Sequence, residues 1–411
     1  MDAKPFRIQV EQAVLDDLFA RLRRTRWTTV ADPVAWQAGT SARYLRDLVD
    51  HWLTRYDWRA EEAKLNALPQ FMADVAGASL HFVHVQGRGA RRTPLLLLHG
   101  WPDSFHRFHK VIPRFVKPDD PDHLDDDAGE PGGSFDVVVP SLPGFAFTGA
   151  VPHANHDQSA RASANLIWRL MTVILGYQRF AVAGGDGGSV LAQLLAIEHP
   201  ESVIGIHLTD LGWHALNVDP ETVSRAERKY LDGMTKARMA DGAYALVQMS
   251  GPRSLAAGLN DSPLGLASWI VDRFHSWVDG PLDQLIGKDD LLTNIMLYWV
   301  TQTIGASIFN FYAEARAPSL TAADRVEVPV GMALFPKDIG GIPPRRFAER
   351  TLNVRQWTEM PQGGHFAALE QPELYTDDVV DFFQSLNAPQ GRADPQPVID
   401  PLAIPHVAPA I

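Results

Sequence analysis

The sequence predicts an α/β fold in which a mostly parallel central sheet is covered by helices. Short, continuous apolar runs recur from residue 95 onward, at 95–98, 137–139, 180–183, 203–207 and 328–334. Helical patterns and turn residues separate these runs. Runs of this length in such an alternation are typical of parallel strands that are buried on both faces.

The first 90 residues predict a mainly helical extension before this sheet. Five apolar residues follow the candidate N-cap Ser41 at helical spacing: Leu45, Leu48, Val49, Trp52 and Leu53. A favourable cap followed by this spacing predicts an amphipathic helix. Residues 71–75 and 80–85 then alternate around Gly77, which predicts a hairpin.

These patterns divide the chain into five predicted segments. They are the extension (1–90), the first part of the core (91–212), a helical cap inserted above the site (213–320), the second part of the core (321–390) and an irregular tail (391–411). An acidic stretch between Asp119 and Gly133, rich in Pro and Gly, predicts a solvated loop.

Composition excludes several classes of function. The chain has 49 Asp and Glu against 37 Lys and Arg, a net charge of -12, which argues against nucleic acid or an anionic membrane as partner. Since it has no cysteine, disulfides, thiolate nucleophiles and Cys-ligated metals are excluded. The N-terminal residues 1–12 contain no apolar signal stretch and nothing that could span a bilayer, so we expect a cytoplasmic protein.

The strongest local signal is a strand, a tight glycine turn and a helix around Asp186. Small residues at Gly184 and Gly188 allow a strained residue to project above the sheet, as in the nucleophile elbow of α/β-hydrolases. A carboxylate nucleophile forms an ester that water can hydrolyse, whereas a hydroxyl attacking the same carbon would leave a stable ether. Taken alone, this segment is equally typical of an Asp that caps a helix.

An acid and then a histidine follow in the order that the α/β-hydrolase fold requires. Asp338 comes just after a predicted strand, and His365 lies in a glycine-rich loop that enters a helix. We predict that His365 activates water against the ester and that Asp338 fixes its tautomer. The backbone N–H groups of Trp101 and Gly187 are the expected oxyanion donors.

With these residues in place, the sequence resembles the microsomal-type epoxide hydrolases over residues 5–383. The matching segments are 99–102, 134–144, 184–186, 259–263, 289–294, 335–336 and 363–368. The resemblance implies an α/β-hydrolase fold with an epoxide-hydrolase N-terminal domain, and conversion of an epoxide and water to a vicinal diol through an ester on Asp186. It also implies two cap tyrosines, Tyr244 and Tyr312, that bind and protonate the epoxide oxygen. No cofactor or metal is expected.

Three features depart from the pattern of that family. Gly187 stands where many relatives have a bulky residue after the nucleophile, and Asp103 stands where Gly is commoner. We also expect no counterpart of the membrane anchor that some animal members carry. The first departure is expected to widen the pocket or change the substrate.

Two other functions stay open at this point. Haloalkane dehalogenases use the same nucleophile, acid and histidine. A halide leaving group needs N–H donors, such as an indole just after the nucleophile, but that position is Gly187 here and the cap offers tyrosines. The second alternative is a non-catalytic ligand-binding protein on the same fold, which would have no need of an intact triad.

The expected substrate is a small apolar epoxide, together with water. Five aromatic residues of the predicted cap suggest an aromatic or bulky substrate: Trp213, Trp269, Phe274, Trp277 and Phe309. Aromatic residues at helical spacing are, however, also typical of a core. The sequence does not fix the oligomeric state; a homodimer is the commonest arrangement among soluble enzymes.

Overall fold

The computed structural model describes residues 3–28, 35–89, 92–116, 134–149, 159–212, 218–339 and 341–387. The predicted acidic loop, Trp213 and the predicted tail all lie outside these ranges. Among the described residues, no helix is both long enough and apolar enough to cross a membrane.

A nine-stranded sheet organises the fold. Its strands are β1 (Lys4–Phe6), β2 (Gln70–Val75), β3 (Ala78–Val85), β4 (Thr93–Leu98), β5 (Phe135–Pro140), β6 (Phe180–Gly184), β7 (Val203–Leu208), β8 (Val326–Leu334) and β9 (Leu352–Glu359). They lie in the order β1-β2-β3-β5-β4-β6-β7-β8-β9. All five apolar runs are thus confirmed as strands, and the hairpin around Gly77 is confirmed as β2 and β3.

The sheet is parallel where the predicted site lies. Strands β5, β4, β6, β7, β8 and β9 pair in parallel, whereas β1, β2 and β3 join them as an antiparallel edge. Parallel neighbours end at the same edge of a sheet. The loops after β4, β6, β7 and β8 therefore meet at one edge, the usual place for a site in such folds.

The N-terminal extension is helical and packs against the inserted helices. It contains α1 (Gln12–Arg23), α2 (Ala42–Thr54) and α3 (Trp58–Leu65). Ser41 is confirmed as the N-cap of α2, because its side chain accepts a hydrogen bond from the N–H of Tyr44. Trp52 on the same helix is fully buried. A hydrogen bond of 3.1 Å joins Tyr56 Oη to Thr293 Oγ1 of the inserted helices.

The remaining helices cover the sheet and its loop edge. Those of the core are α4 (Ile112–Val116), α5 (Ala160–Arg169), α6 (Gly187–Glu198), α14 (Arg345–Ala348), α15 (Ala367–Glu370) and α16 (Pro372–Asn387). Between β7 and β8 lie α7 (Arg225–Asp241), α8 (Ala243–Ser250), α9 (Pro252–Asp261), α10 (Pro263–Trp277), α11 (Leu282–Leu285), α12 (Lys288–Thr301) and α13 (Ile304–Arg316). These seven helices fall inside the range predicted for the cap; the division into five segments stays a prediction.

Candidate active site

Asp186 occupies the turn between β6 and α6 in a strained conformation. Its φ of 57° lies in the left-handed region, which residues other than glycine seldom adopt. The turn lies tightly against the loop after β4, since a Cβ added at Gly100 would overlap the Asp186 carboxylate. The predicted nucleophile elbow is thus present, with the carboxylate projecting from its apex.

The two carboxylate oxygens of Asp186 have different surroundings. Oδ1 accepts hydrogen bonds from the N–H of Trp101 at 2.8 Å and from the N–H of Gly187 at 2.7 Å. Oδ2 lies 3.4 Å from Nε2 of His365. The structure therefore brings both predicted oxyanion donors to one oxygen and leaves the other oxygen facing the histidine.

His365 is held between two carboxylates. Its Nδ1–H donates to Asp338 Oδ1 at 2.7 Å, and its backbone N–H donates to the carbonyl of Trp277 at 2.8 Å. Only 4% of the His365 side chain is exposed, against 16% for Asp186. Because Nδ1 is committed to Asp338, Nε2 is the ring atom that points toward Asp186.

The charges of this group depend on one another. Burial alone would lower the pKa of His365, but Asp338 and Asp186 outweigh it and raise the pKa to about 10. For Asp186, burial alone would raise the pKa of the carboxyl, but His365 and the two N–H groups lower it. At neutral pH the resting pair is thus a carboxylate beside an imidazolium.

A further carboxylate, Asp210, supports the elbow and was not predicted as part of the site. It follows β7, and its Oδ2 accepts from the N–H of Asp186 at 2.7 Å and from Ser189 Oγ at 2.8 Å. Burial and the nearby charge of Asp338 raise the pKa of Asp210 to about 6, against the opposing effect of His365. The sequence signal that could have indicated Asp210 is its position as an acidic residue just after the predicted strand at 203–207.

Asp103, noted as a departure from the family pattern, is paired with Arg107. Both side chains are buried, and the Arg107 Nη1–H donates to Asp103 Oδ2. The Nη2–H of the same guanidinium donates to the carbonyl of His365 at 2.5 Å. The pair thus ties the loop after β4 to the loop that carries the histidine.

Aromatic rings enclose the carboxylate from the side of the inserted helices. Tyr244 stacks on Trp101 with ring centroids 5.3 Å apart, and the edge of Trp277 packs against both Tyr244 and His365. Phe311 meets Trp101 at 5.8 Å and Tyr244 at 6.2 Å. Burial, and next the charge of Asp186, raise the pKa of the Tyr244 phenol. Tyr244 therefore stays protonated near the nucleophile.

The ring contacts of Tyr312, the other tyrosine that the resemblance implied, are with residues of its own helix, and its role stays a prediction. Its ring stacks on Phe309 at 5.1 Å, and the guanidinium of Arg316 lies 3.4 Å from its centroid. Among the described residues, no ring contact or hydrogen bond joins its side chain to the enclosing rings. Phe311, the residue before it on α13, is the one that contacts Trp101 and Tyr244.

The aromatic residues of the predicted cap differ in whether they lie in the site. Trp277 lies in the site, whereas Phe274 stacks on Phe366 with centroids 4.0 Å apart, and Trp269 donates from Nε1 to Gln248 Oε1 at 3.1 Å. Phe309 packs on Tyr312 and Trp213 is outside the described ranges. The sequence analysis did not single out Phe311, because helical spacing alone does not tell an aromatic residue of the core from one that lines a pocket.

One cluster among the described residues has the composition of a metal site: His106, His109 and Asp290. Both Nε2 atoms face Asp290 Oδ1, at 3.4 and 3.3 Å. The two rings, however, are stacked 4.1 Å apart and inclined by 1°, so one ion could not lie in both ring planes. Lys110 already pairs with Asp290 Oδ2 at 3.2 Å. The arrangement is an ion pair of Lys110 and Asp290 beside two stacked imidazoles, and burial lowers the pKa of the His106 imidazole to about 4.

Two family models match the chain. Residues 3–108 match the model described as epoxide hydrolase N terminus, and residues 93–262 match the alpha/beta hydrolase fold. A putative epoxide hydrolase of Stigmatella aurantiaca is 35% identical, with 93% of this chain and 85% of that protein covered. Epoxide hydrolase 1 of Sus scrofa is 32% identical, with 92% and 88% covered.

Solved structures are similar over nearly the whole length. Aspergillus niger epoxide hydrolase superposes with a TM-score of 0.80 at 29% identity, with 94% of this chain and 97% of that chain covered. Juvenile hormone epoxide hydrolase from Bombyx mori superposes with a TM-score of 0.83 at 25% identity, with 94% and 95% covered.

Proposed function

The chain belongs to the epoxide hydrolase family of the α/β-hydrolase superfamily, and from this premise we propose that it hydrolyses its epoxide through a covalent ester on Asp186. Its relatives support a hydrolase acting on epoxides and do not favour the dehalogenase or the non-catalytic binding protein. The observation that carries the mechanism is the unequal environment of the two carboxylate oxygens.

In the first step, Oδ2 of Asp186 attacks an epoxide carbon. A carbon–oxygen bond to the carboxylate forms while the ring carbon–oxygen bond breaks, and the leaving alkoxide takes the phenolic proton of Tyr244. Oδ1 becomes the ester carbonyl oxygen. It already accepts two N–H groups, so the oxyanion that forms on it later needs no rearrangement of donors.

In the second step, water attacks the ester carbonyl. The negative charge of Asp186 has disappeared in the ester, so the pKa of His365 falls, and its proton can pass to the tyrosinate. Neutral His365 then takes one proton from water as hydroxide adds to Cγ. When the acyl carbon–oxygen bond breaks, the leaving alkoxide takes the remaining proton of that hydroxide, which restores the carboxylate. The diol leaves with the oxygen that belonged to Asp186, and the resting charges return.

The enclosing rings support an aryl-substituted or otherwise bulky apolar epoxide as the substrate. Trp101, Tyr244, Trp277 and Phe311 offer flat apolar surfaces beside the nucleophile. A substrate ring can stack or meet these rings edge to face, which adds roughly 0.5–1.5 kcal/mol per pair beyond buried area. Gly187 has no side chain, so the position after the nucleophile cannot supply an indole N–H to a halide leaving group.

Incubation with styrene oxide and, separately, with a bromoalkane tests the activity. We expect diol from the epoxide and no bromide. In His365→Ala we expect an adduct with the mass of the intact epoxide on the protein, because the ester forms and is not hydrolysed. Asp186→Asn is the matched control and should carry no adduct. Bromide without diol, or an adduct in both variants, would contradict the proposal.

A further inference from the structure

The loop that carries His365 is held by a buried acidic residue, Glu370. Glu370 Oε1 accepts a hydrogen bond from the N–H of Phe366 at 2.9 Å, and Oε2 accepts one from the N–H of Gly364 at 3.1 Å. These donors are the residues directly after and directly before His365. The carboxylate of Glu370 therefore fixes the backbone on both sides of the histidine.

A second carboxylate fixes the same loop from the end of an inserted helix. Asp279 follows α10, and its Oδ2 accepts the N–H of Gly363 at 2.8 Å. In return, the N–H of Asp279 donates to Glu370 Oε2 at 2.8 Å. The two acids thus join the histidine loop of the core to the inserted helices.

All four N–H groups of residues 363–366 are bonded in this way. The N–H of His365 itself donates to the carbonyl of Trp277 at 2.8 Å, so each acceptor belongs to Glu370 or to residues 277–279. Resting on the mechanism proposed above, we propose that Glu370 and Asp279 are positioning residues that set the place of His365 for ester hydrolysis.

Glu370 is suited to this role because it is a carboxylate. It is 7% exposed, and among the described residues no Lys or Arg forms an ion pair with it. Burial raises the pKa of Glu370, whereas its three N–H partners and the charge of His365 lower it. Both oxygens of a carboxylate accept hydrogen bonds, whereas an amide would present an NH2 group to one set of donors. Glu370→Gln should therefore loosen the loop while keeping the size and shape of the side chain.

Displacement of His365 should affect one step only. In the first step Asp186 attacks and Tyr244 gives up its proton, so ester formation does not need the histidine as a base. In the second step neutral His365 takes a proton from water, and a misplacement of about 1 Å costs on the order of 100-fold in such a step. Because kcat/KM depends only on the steps up to an irreversible ester formation, kcat and KM should fall by the same factor.

The test compares Glu370→Gln, Glu370→Ala and Asp279→Ala with the wild type. Rapid quench and intact mass with styrene oxide give the rates of ester formation and ester hydrolysis, at a pH where wild-type hydrolysis has reached its plateau. We expect hydrolysis to slow roughly 100-fold in Glu370→Ala and less in the other two variants, which keep part of the set of acceptors. Ester formation should stay within about twofold of the wild type, far below that scale, so the ester should accumulate during turnover.

Glu373→Gln is the matched control. Glu373 is exposed, pairs with Arg114 at 2.6 Å and lies a few positions further along the chain. The same loss of charge there should leave both steps and KM as in the wild type. A loss of hydrolysis equal to that in Glu370→Gln would show that the bonds to the loop do not carry the effect.

Equal slowing of both steps in Glu370→Gln, or a lower kcat with an unchanged KM, would overturn the inference, since a role in folding alone lowers the amount of active enzyme. Unchanged hydrolysis in Glu370→Gln or in Asp279→Ala would also overturn it. Glu370→Gln decides the matter if Glu370→Ala does not fold. If the wild-type protein formed no ester at all, the mechanism beneath the inference would fail instead, so the two failures are distinguishable in one set of samples.

Discussion

Nε2 of His365 lies 3.4 Å from Oδ2 of Asp186, so each group sets the charge of the other. With Asp338 and Asp186 both ionised, the pKa of His365 is raised to about 10 against the effect of burial. Ester formation removes the negative charge of Asp186, while burial, which lowers the pKa, remains. We expect the rate of ester hydrolysis to rise with pH and to level off well below pH 10, because neutral His365 is the reactive form.

Rapid-quench measurements of the two steps, from about pH 5 up to the resting pKa of His365 at about 10, separate this effect from the first step. Ester formation should stay constant over most of that range, since Asp186 is ionised throughout. A hydrolysis rate that continued to climb up to pH 10 would mean that the ester leaves the histidine as basic as in the resting protein, contrary to the mechanism.

Asp210 is expected to change the pH dependence of ester hydrolysis. Its charge favours the imidazolium, so Asp210→Asn, which keeps an acceptor for the N–H of Asp186, should shift the pH profile of ester hydrolysis to lower pH. Asp210→Ala removes the acceptor, and an unpaired buried N–H costs about 1–3 kcal/mol of folding free energy. Stopped-flow profiles and denaturant unfolding distinguish the two variants. Identical profiles for wild type and Asp210→Asn would exclude the electrostatic role.

The buried pair of Asp103 and Arg107 is expected to show strong coupling. Arg107→Met leaves a buried carboxylate unpaired and removes the bond to the His365 carbonyl, which should cost about 3–5 kcal/mol of folding free energy. Asp103→Leu combined with Arg107→Met should cost less than the arginine change alone. Denaturant midpoints of the singles and the double give the comparison, and simple additivity would show that the two side chains act independently.

Gly100 approaches the nucleophile more closely than a side chain allows. Since a Cβ there would overlap the Asp186 carboxylate, Gly100→Ala should lower ester formation roughly 100-fold, the scale seen when a reacting group is misplaced by about 1 Å. Gly258→Ala in α9 meets nothing within 4 Å and is the matched control. Equal activity of the two variants would show that the carboxylate can move without loss.

Local signals account for the parts of this fold and site that the sequence predicts. The apolar runs, the glycine turn at Asp186 and the order of Asp338 and His365 are each visible within a few residues. Asp210 and Arg107 differ in this respect, because their partners lie 24 and 258 positions away along the chain. Such pairs are set by the packing of loops after β4, β7 and β9, which the sequence alone does not display.

The two tyrosines show a second reason why the sequence alone does not predict the whole site. A run of aromatic residues at 309–312 does not reveal which of them a helix turns toward the site, because the rotation of α13 is fixed by its packing. The resemblance implied Tyr312, whose role stays a prediction, and the structure packs its neighbour Phe311 against Trp101. Tyr244, the other tyrosine that the resemblance implied, stacks on Trp101.

Heavy-oxygen water gives the most direct test of the covalent ester on Asp186. After a single turnover in this solvent, with enzyme in excess, the account predicts a diol free of solvent label and a peptide containing Asp186 that carries it, because water attacks the ester carbonyl and the original carboxylate oxygen leaves with the product. Label found in the diol, with none in that peptide, would show that water attacks the epoxide directly and would contradict the account.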